Sequence, residues 1–315
     1  MTSTIKYEEW LALWLKSKRG FVKESTYANY SMAIVNHIMP KLGKYLLHDL
    51  TEDVLQKTVM EWSKTGNMSG GGLSKKTIQD FLSIIKLSIK AASKRGLTEP
   101  ALIMDIQIPV TNNDKRVVIF DREVQNKIMN IVSENPKPRS VGIIVSLLTG
   151  LRIGELCALK WSDIDFDQKM ISVTKTMQRI YLKEMNGERS SYVTITSPKT
   201  RSSNRIIPIS STLLPYLESI KPDDKESFII TGTKDRLEPR TYRSYYNRFL
   251  SKNGIDRIKF HGLRHTFATR CIEGGADCKT VSVLLGHASI SMTLNMYVHP
   301  GMEQKRKCVE LIRKD

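Results

Sequence analysis

Cysteine is scarce in this sequence, and its four copies (Cys157, Cys271, Cys278 and Cys308 in 315 residues) form no CxxC pair. A reducing cytoplasm with free thiols fits this usage best. Long apolar runs are missing as well. No stretch approaches the ~20 apolar residues that a membrane-spanning helix needs. The opening Met1–Tyr7 is polar and lacks the apolar core of a secretory leader. Glycines cluster at 66–72, yet no GK[ST] follows them, so they form no P-loop and read as a flexible connection. Acidic residues are few: 32 Asp and Glu stand against 49 Lys and Arg, a formal charge of +17.

Self-repulsion of that size implies a polyanionic partner, because surface cations gain most by displacing the counterions of phosphates. The surplus is not confined to a tail. Residues 1–110 hold 15 basic and 10 acidic residues, and 111–315 hold 34 and 22, so both halves are expected to touch nucleic acid.

The first hundred residues carry helical periodicity. Tyr7, Trp10, Leu11, Trp14 and Leu15 make one apolar stripe. A second helix opens at Ser25, shows Tyr27, Tyr30, Ile34 and Ile38, and should end near Pro40. Thr51 and Ser74 cap two more, the last closed by Gly96. Lys75 and Lys76 in its first turn are candidates for contact with phosphate. Pro100, Pro109, Asn112 and Asn113 break the pattern over 98–116. The expected organisation is a helical domain over 1–108, a linker over 109–116 and a second domain over 117–315. In the second, Asp121 caps a helix to about Ser133, and Ser140–Leu148 forms another. Strand-like runs follow at Met170–Thr176, Tyr192–Thr196 and Arg205–Ile209, with an Asn186-Gly187 turn signal among them, before a helical C-terminal region. The fold class is therefore mainly α with a small antiparallel sheet.

Polar residues that a core would not favour recur in this second half. Arg152, in Thr149-Gly150-Leu151-Arg152-Ile153-Gly154-Glu155, stands at a helix start, where backbone N–H groups and a guanidinium make an anion site; pairing with Glu155 is the structural alternative. His261 and Arg264, in His261-Gly262-Leu263-Arg264-His265, lie one turn apart. His261 and His265 have the spacing of zinc ligands, but the Glu of HExxH is missing and no third ligand follows, so no metal is expected. His287 follows Leu284-Leu285-Gly286, and Tyr297 comes ten residues later. Arg240, Tyr242 and Arg243 follow Pro239 at a helix start and are candidates for a helix facing DNA.

Taken in order, Arg…His-x-x-Arg…Gly-His…Tyr resembles the tyrosine recombinases, the family of phage and conjugative-transposon integrases. The resemblance runs from TGLRIGEL through HGLRHTFAT and LLGHASI to TLNMYVH. It implies a helical domain that binds the core site, followed by a mixed α/β catalytic domain with a C-terminal tail. It implies cutting and rejoining of double-stranded DNA through a 3′-phosphotyrosine and a Holliday junction. Tyr297 would be the nucleophile, Arg152 and Arg264 the phosphate clamp, His261 the general base and His287 a phosphate donor. Because the phosphotyrosine keeps the bond energy, neither ATP nor a cofactor is called for. The resemblance also implies a lysine, at a turn between strands, that gives the leaving 5′-oxygen its proton: Lys199, in Ser197-Pro198-Lys199-Thr200, fits better than Lys175, which reads as lying within a strand. Further implications are a homotetramer on DNA in a bacterial cytoplasm, with accessory bending or directionality factors. Many integrases carry a module for arm sites ahead of the core-binding domain; the sequence departs from that pattern, since Tyr7 already begins the first helix, and no such module is expected. A type IB topoisomerase, or a non-catalytic DNA-binding relative, remains an alternative at this point.

Overall fold

The computed structural model describes residues 4–66, 70–99, 105–109, 118–197 and 201–297, with 306, 309 and 310 of the tail. Two units emerge: Met1–Lys115 together with Ile180–Tyr192, and Arg116–Arg179 together with Val193–Asp315.

The first unit is helical: α1 (Tyr7–Lys18), α2 (Glu24–Ala33), α3 (Met39–Leu42), α4 (Glu52–Thr65) and α5 (Lys75–Ser93). The stripe expected on α1 is buried in full, and Leu55, Val59 and Trp62 of α4 meet Ile78, Phe81, Leu82 and Ile85 of α5 in the same core. Polar anchors fix α1 on α5: the Tyr7 hydroxyl lies 2.7 Å from Ser88 Oγ, and Trp10 Nε1 donates to the Ser88 carbonyl at 2.9 Å. Thr51 and Ser74 cap α4 and α5, their hydroxyls accepting from the backbone N–H of Val54 and Thr77. The second helix departs from expectation at both ends. It starts at Glu24 after Lys23, and Pro40 does not stop it. Residues Ile34–Ile38 form a π-turn in which the Met39 N–H reaches back five residues to the Ile34 carbonyl. A proline cannot donate and crowds the carbonyl four residues back. The widened turn passes the chain into α3 with Pro40 at its start, where a missing N–H costs little.

The second unit is built around α7 (Pro138–Thr149), whose Val141, Ile143, Ile144, Val145 and Leu147 are all buried. A helix apolar on every side has to be central, and α6 (Arg122–Glu134), α8 (Ile153–Ala158), α9 (Leu214–Glu218), α10 (Pro239–Lys252) and α11 (His261–Glu273) pack around it. The sheet is small: β1 (Ile164–Asp165), β2 (Met170–Val173) and β5 (Arg205–Pro208) pair antiparallel in the order β1-β2-β5, with Ile171 opposite Ile207. A separate ribbon of β3 (Thr176–Lys183) and β4 (Arg189–Thr196) is longer than the sequence runs indicate, and turns at Gly187, whose φ is +89°. Its tip, 180–192, groups with the helical unit: the Ser31 hydroxyl bonds to the Lys183 carbonyl, and Lys183 Nζ donates to Asn36 Oδ1 at 2.6 Å. Two further helices follow, α12 (Cys278–Leu285) and α13 (Ile290–Tyr297).

Two expectations are overturned here. Lys175 does not lie within a strand but in the short link between β2 and β3, where its Nζ is 3.2 Å from Asp163 Oδ1. Tyr242 does not face outward. It is fully buried on the core side of α10 with Tyr246 and Leu250, and its hydroxyl donates to the Arg139 carbonyl at 2.8 Å. The helix starting at Pro239 turns its 242/246/250 stripe inward and leaves Arg240 and Arg243 exposed. Tyr242→Phe should therefore leave DNA affinity unchanged while lowering stability by about 1–3 kcal/mol, because the buried Arg139 carbonyl loses its donor. Urea unfolding and a DNA titration of the same variant check both halves.

Candidate active site

The elements that carry the motifs meet at the C-terminal turn of α12. Gly286 ends that helix in the left-handed region at φ +66°, which exposes its last carbonyls and swings His287 out of the helical path. Each of three successive carbonyls receives a guanidinium. Arg205 Nε donates to the Leu284 carbonyl at 2.6 Å, Arg264 to that of Leu285 at 2.7 Å, and Arg152 to that of Gly286 at 3.3 Å. Cations belong at a helix C-terminus, where the unpaired carbonyls concentrate negative potential.

Arg152 stands at the N-cap of α8, as its sequence context implies, and Glu155 holds it twice: the carboxylate accepts from the Arg152 N–H at 2.9 Å and from its guanidinium at 2.8 Å. Glu155 is buried, and it also accepts two bonds from Arg205, at 3.1 and 2.9 Å. Burial by itself would raise the Glu155 pKa. The bonds and charges of Arg205 and then Arg152 outweigh it, so the carboxyl stays ionised below the usual range. Arg264 is only 1% exposed, and its other terminal nitrogen donates to the Gly150 carbonyl at 2.9 Å. Gly150 is itself left-handed, at φ +67°, and a Cβ there would fall 2.7 Å from Phe267 and 2.8 Å from Leu285. Glycine is thus required where the end of α7 meets Phe267 of α11 and Leu285 of α12.

His287 Nδ1 lies 2.9 Å from the hydroxyl of Thr293, a fully buried residue of α13. One bond thus ties the histidine turn to the helix that ends in Tyr297. The Tyr297 side chain lies outside the described residues, as does all of Lys199. The imidazoles of His261 and His265 meet edge to face at 4.6 Å. Part of His261 faces solvent, but its ring packs among cations. Partial desolvation, then His265, Arg264 and Arg152, push its pKa down to about 4. His287 also falls to about 4, through desolvation first and then Arg264 and Arg152. Both are neutral imidazoles at neutral pH, able to accept a proton.

Arg152, His261, Arg264 and His287 thus come into one cluster, and Glu155 has the structural part anticipated for it. The sequence reading overlooked Arg205, although a signal was present. Alternation along Arg205-Ile206-Ile207 puts the arginine on the same buried face as Ile207. A charge at such a position demands a buried partner. Lys75, Lys76, Arg240 and Arg243 are exposed and do not belong to the cluster, and Lys76 pairs with Asp80 at 2.6 Å.

Removing Arg205 would leave Glu155 buried with half its partners, so Arg205→Leu should lower unfolding stability by about 3–5 kcal/mol. A loss under ~1 kcal/mol in urea would mean that Arg152 alone satisfies the carboxylate. For the imidazoles the folded pKa lies below the unfolded value of about 6.5. Their contribution to stability is then complete above pH ~6.5 and is lost as pH falls towards 4. The melting temperature should begin to drop between about pH 6.5 and 5, before most carboxylates take up protons, and NMR titration of the DNA-free protein should place His261 and His287 near 4.

Comparison with known proteins bears on the family and the fold. Residues 119–304 match the phage integrase family model, and residues 6–63 match the N-terminal SAM-like domain of phage integrases. A tyrosine recombinase XerC-like protein of Caldanaerobacter subterraneus is 31% identical over 76% of this chain and 66% of its own length. The ICEBs1 integrase of Bacillus subtilis is 24% identical over 94% of the chain and 79% of its own. Among solved structures, the Tn1549 transposon integrase in complex with transposon right end DNA superposes with a TM-score of 0.77 at 23% identity, covering 98% of this chain and 99% of that one. A lambda integrase dimer bound to a core site reaches 0.63 at 19%, over 95% and 97%. At those identities the superpositions speak for the fold, whereas the family model takes in more than half of the sequence: the chain belongs to the phage integrase family.

Proposed function

We propose that this chain is a site-specific DNA recombinase that cuts and rejoins strands through Tyr297. The observation that carries this reading is the convergence of Arg152 and Arg264 on the turn that presents His287, with Thr293 fastening that turn to the tyrosine helix. Attack on a phosphodiester adds a negative charge to the phosphorus centre. Guanidinium groups already fixed by Glu155 and by backbone carbonyls can receive that charge without reorganising. A tyrosine ordinarily titrates near 10; in this reading the positive charge of the cluster and a neutral His261, as acceptor of the proton, assist its ionisation. In the first step the Tyr297 oxygen bonds to phosphorus, the bond to the 5′-oxygen breaks, and that oxygen takes up a proton. Lys199 is the assigned donor. Lys175 is the rival, although its ammonium is engaged by Asp163. A 5′-hydroxyl from another strand then reverses the step, so the number of phosphodiester bonds is conserved.

Exchange between two duplexes requires four such sites, hence a tetramer of this chain on double-stranded DNA passing through a Holliday junction. The relatives support that reading: one solved structure similar in fold is a lambda integrase tetramer bound to a Holliday junction. Among the described residues no helix is long and apolar enough to cross a membrane. The cytoplasm, with its nucleoid, is the compartment that suits a DNA substrate and reduced thiols.

A nicked suicide half-site tests the assignment. The wild-type protein should form a covalent DNA adduct in the presence of EDTA, and Tyr297→Phe should form none; an adduct that persists in the variant removes Tyr297 as nucleophile. With a 5′-thiolate leaving group, which needs no proton, Lys199→Ala should recover the cleavage it loses on normal DNA. Recovery in Lys175→Ala instead would transfer the role to that lysine.

A further inference from the structure

Beside the arginine cluster lies a cleft of about 680 Å³, lined in part by residues with no role in the chemistry above. Arg152 and His261 form one edge. The opposite walls are Arg243 and Asn247 of α10, and Arg257 and Lys259 from the segment that leads into α11. Their placement follows from the local chain. Arg243 and Asn247 are four apart and share a helical face next to the buried 242/246/250 stripe. Arg257 and Lys259 flank buried Ile258, so both turn outward, while their neighbour Asp256 does not line the cleft.

The cleft gathers several cations without an acidic partner. In another cleft of the same unit three ammonium groups, of Lys160, Lys175 and Lys234, are matched by Glu226, Asp163 and Asp224, which leaves Arg236 as its one cation outside an ion pair among the described residues. Among the described residues, Arg243, Arg257 and Lys259 form no ion pair. Three unmatched cations and an amide around a concave surface suit an anion with several acceptor oxygens. The cleft is continuous with Arg152, so that anion lies next to the group Arg152 binds. Building on the function proposed above, we infer that the cleft is a second phosphate site, in which Arg243, Asn247, Arg257 and Lys259 hold a backbone phosphodiester of the DNA strand adjoining the reacting one. Arg152 is shared between the two sites. DNA docked through both therefore has its reacting phosphate set in register before any bond changes.

The test uses the full-length protein and a short duplex of arbitrary sequence, since phosphate contacts do not depend on bases. Affinity is measured across a salt series for the wild type, for Arg257→Ala/Lys259→Ala, and for Lys221→Ala/Lys225→Ala, which removes the same charge from a separate cleft. All four positions of these variants are surface side chains, and a melting curve checks that each variant is folded. The slope of log affinity against log salt should shrink by about 1 for each cation removed from the site, and by much less in the control. An unchanged slope in the cleft variant overturns the site, and an equal drop in both variants overturns it too, because diffuse charge would then explain binding. At saturating DNA, Arg257→Ala/Lys259→Ala should form the suicide adduct more slowly than the wild type, because the reacting phosphate loses that register. Failure of the wild type to form any adduct would remove the recombinase reading, whereas the salt slopes judge the cleft separately.

Discussion

Three guanidinium groups on three consecutive carbonyls of α12 are the constraint on which the candidate site depends. Each arginine comes from a different part of the chain: Arg152 from the start of α8, Arg205 from β5 and Arg264 from α11. Each also has a second attachment, to Glu155, to Glu155 and Ser203, and to Gly150 respectively. The helix terminus thus acts as the common reference for a sheet strand and two helices. Gly286 makes it possible, because a Cβ there would lie 2.9 Å from the Ser202 carbonyl and 3.1 Å from Arg205 Cδ, in addition to the strain of a positive φ.

Much of this was legible in the sequence. The stripe of α1, the caps at Thr51, Ser74 and Asp121, and the buried run of α7 all follow from short-range rules, and the structure shows them where the pattern puts them. Arg152, His261, Arg264 and His287 were identifiable because their motifs occur in a fixed order in a basic chain. The misreadings have a common physical origin. Tyr242 was placed outside because residue type and a nearby proline do not state which face of a helix is covered, and only α7 packing on α10 decides it. Pro40 was expected to end a helix that a π-turn carries past it. Arg205 was overlooked because its partners Glu155 and Leu284 are 50 and 79 residues away, and no local pattern encodes such distances.

The two units differ in what keeps them folded. In the helical unit, aromatic and aliphatic side chains do most of the packing, with Trp10, Trp14 and Tyr7 among its largest buried groups. The second unit adds charged groups to an apolar core, and among the described residues its buried ions, Glu155, Arg205 and Arg264, lie on α8, β5 and α11. Buried ions contribute little net stability compared with apolar groups of the same size. Their concentration at one place is therefore better understood as serving orientation: a guanidinium held by two fixed acceptors has one position, and a lone one has many.

The sharing of Glu155 between two arginines has an electrostatic consequence. Among the described groups of the cluster, three guanidinium charges face one carboxylate, which leaves an excess of two positive charges. An ordinary phosphodiester brings one negative charge, and its pentacovalent form brings two. The resting protein is thus overcharged for the DNA it would bind, and would reach neutrality only at the point of reaction. A second carboxylate in place of any one of these carbonyl contacts would bring neutrality forward to the bound ground state and forgo that difference.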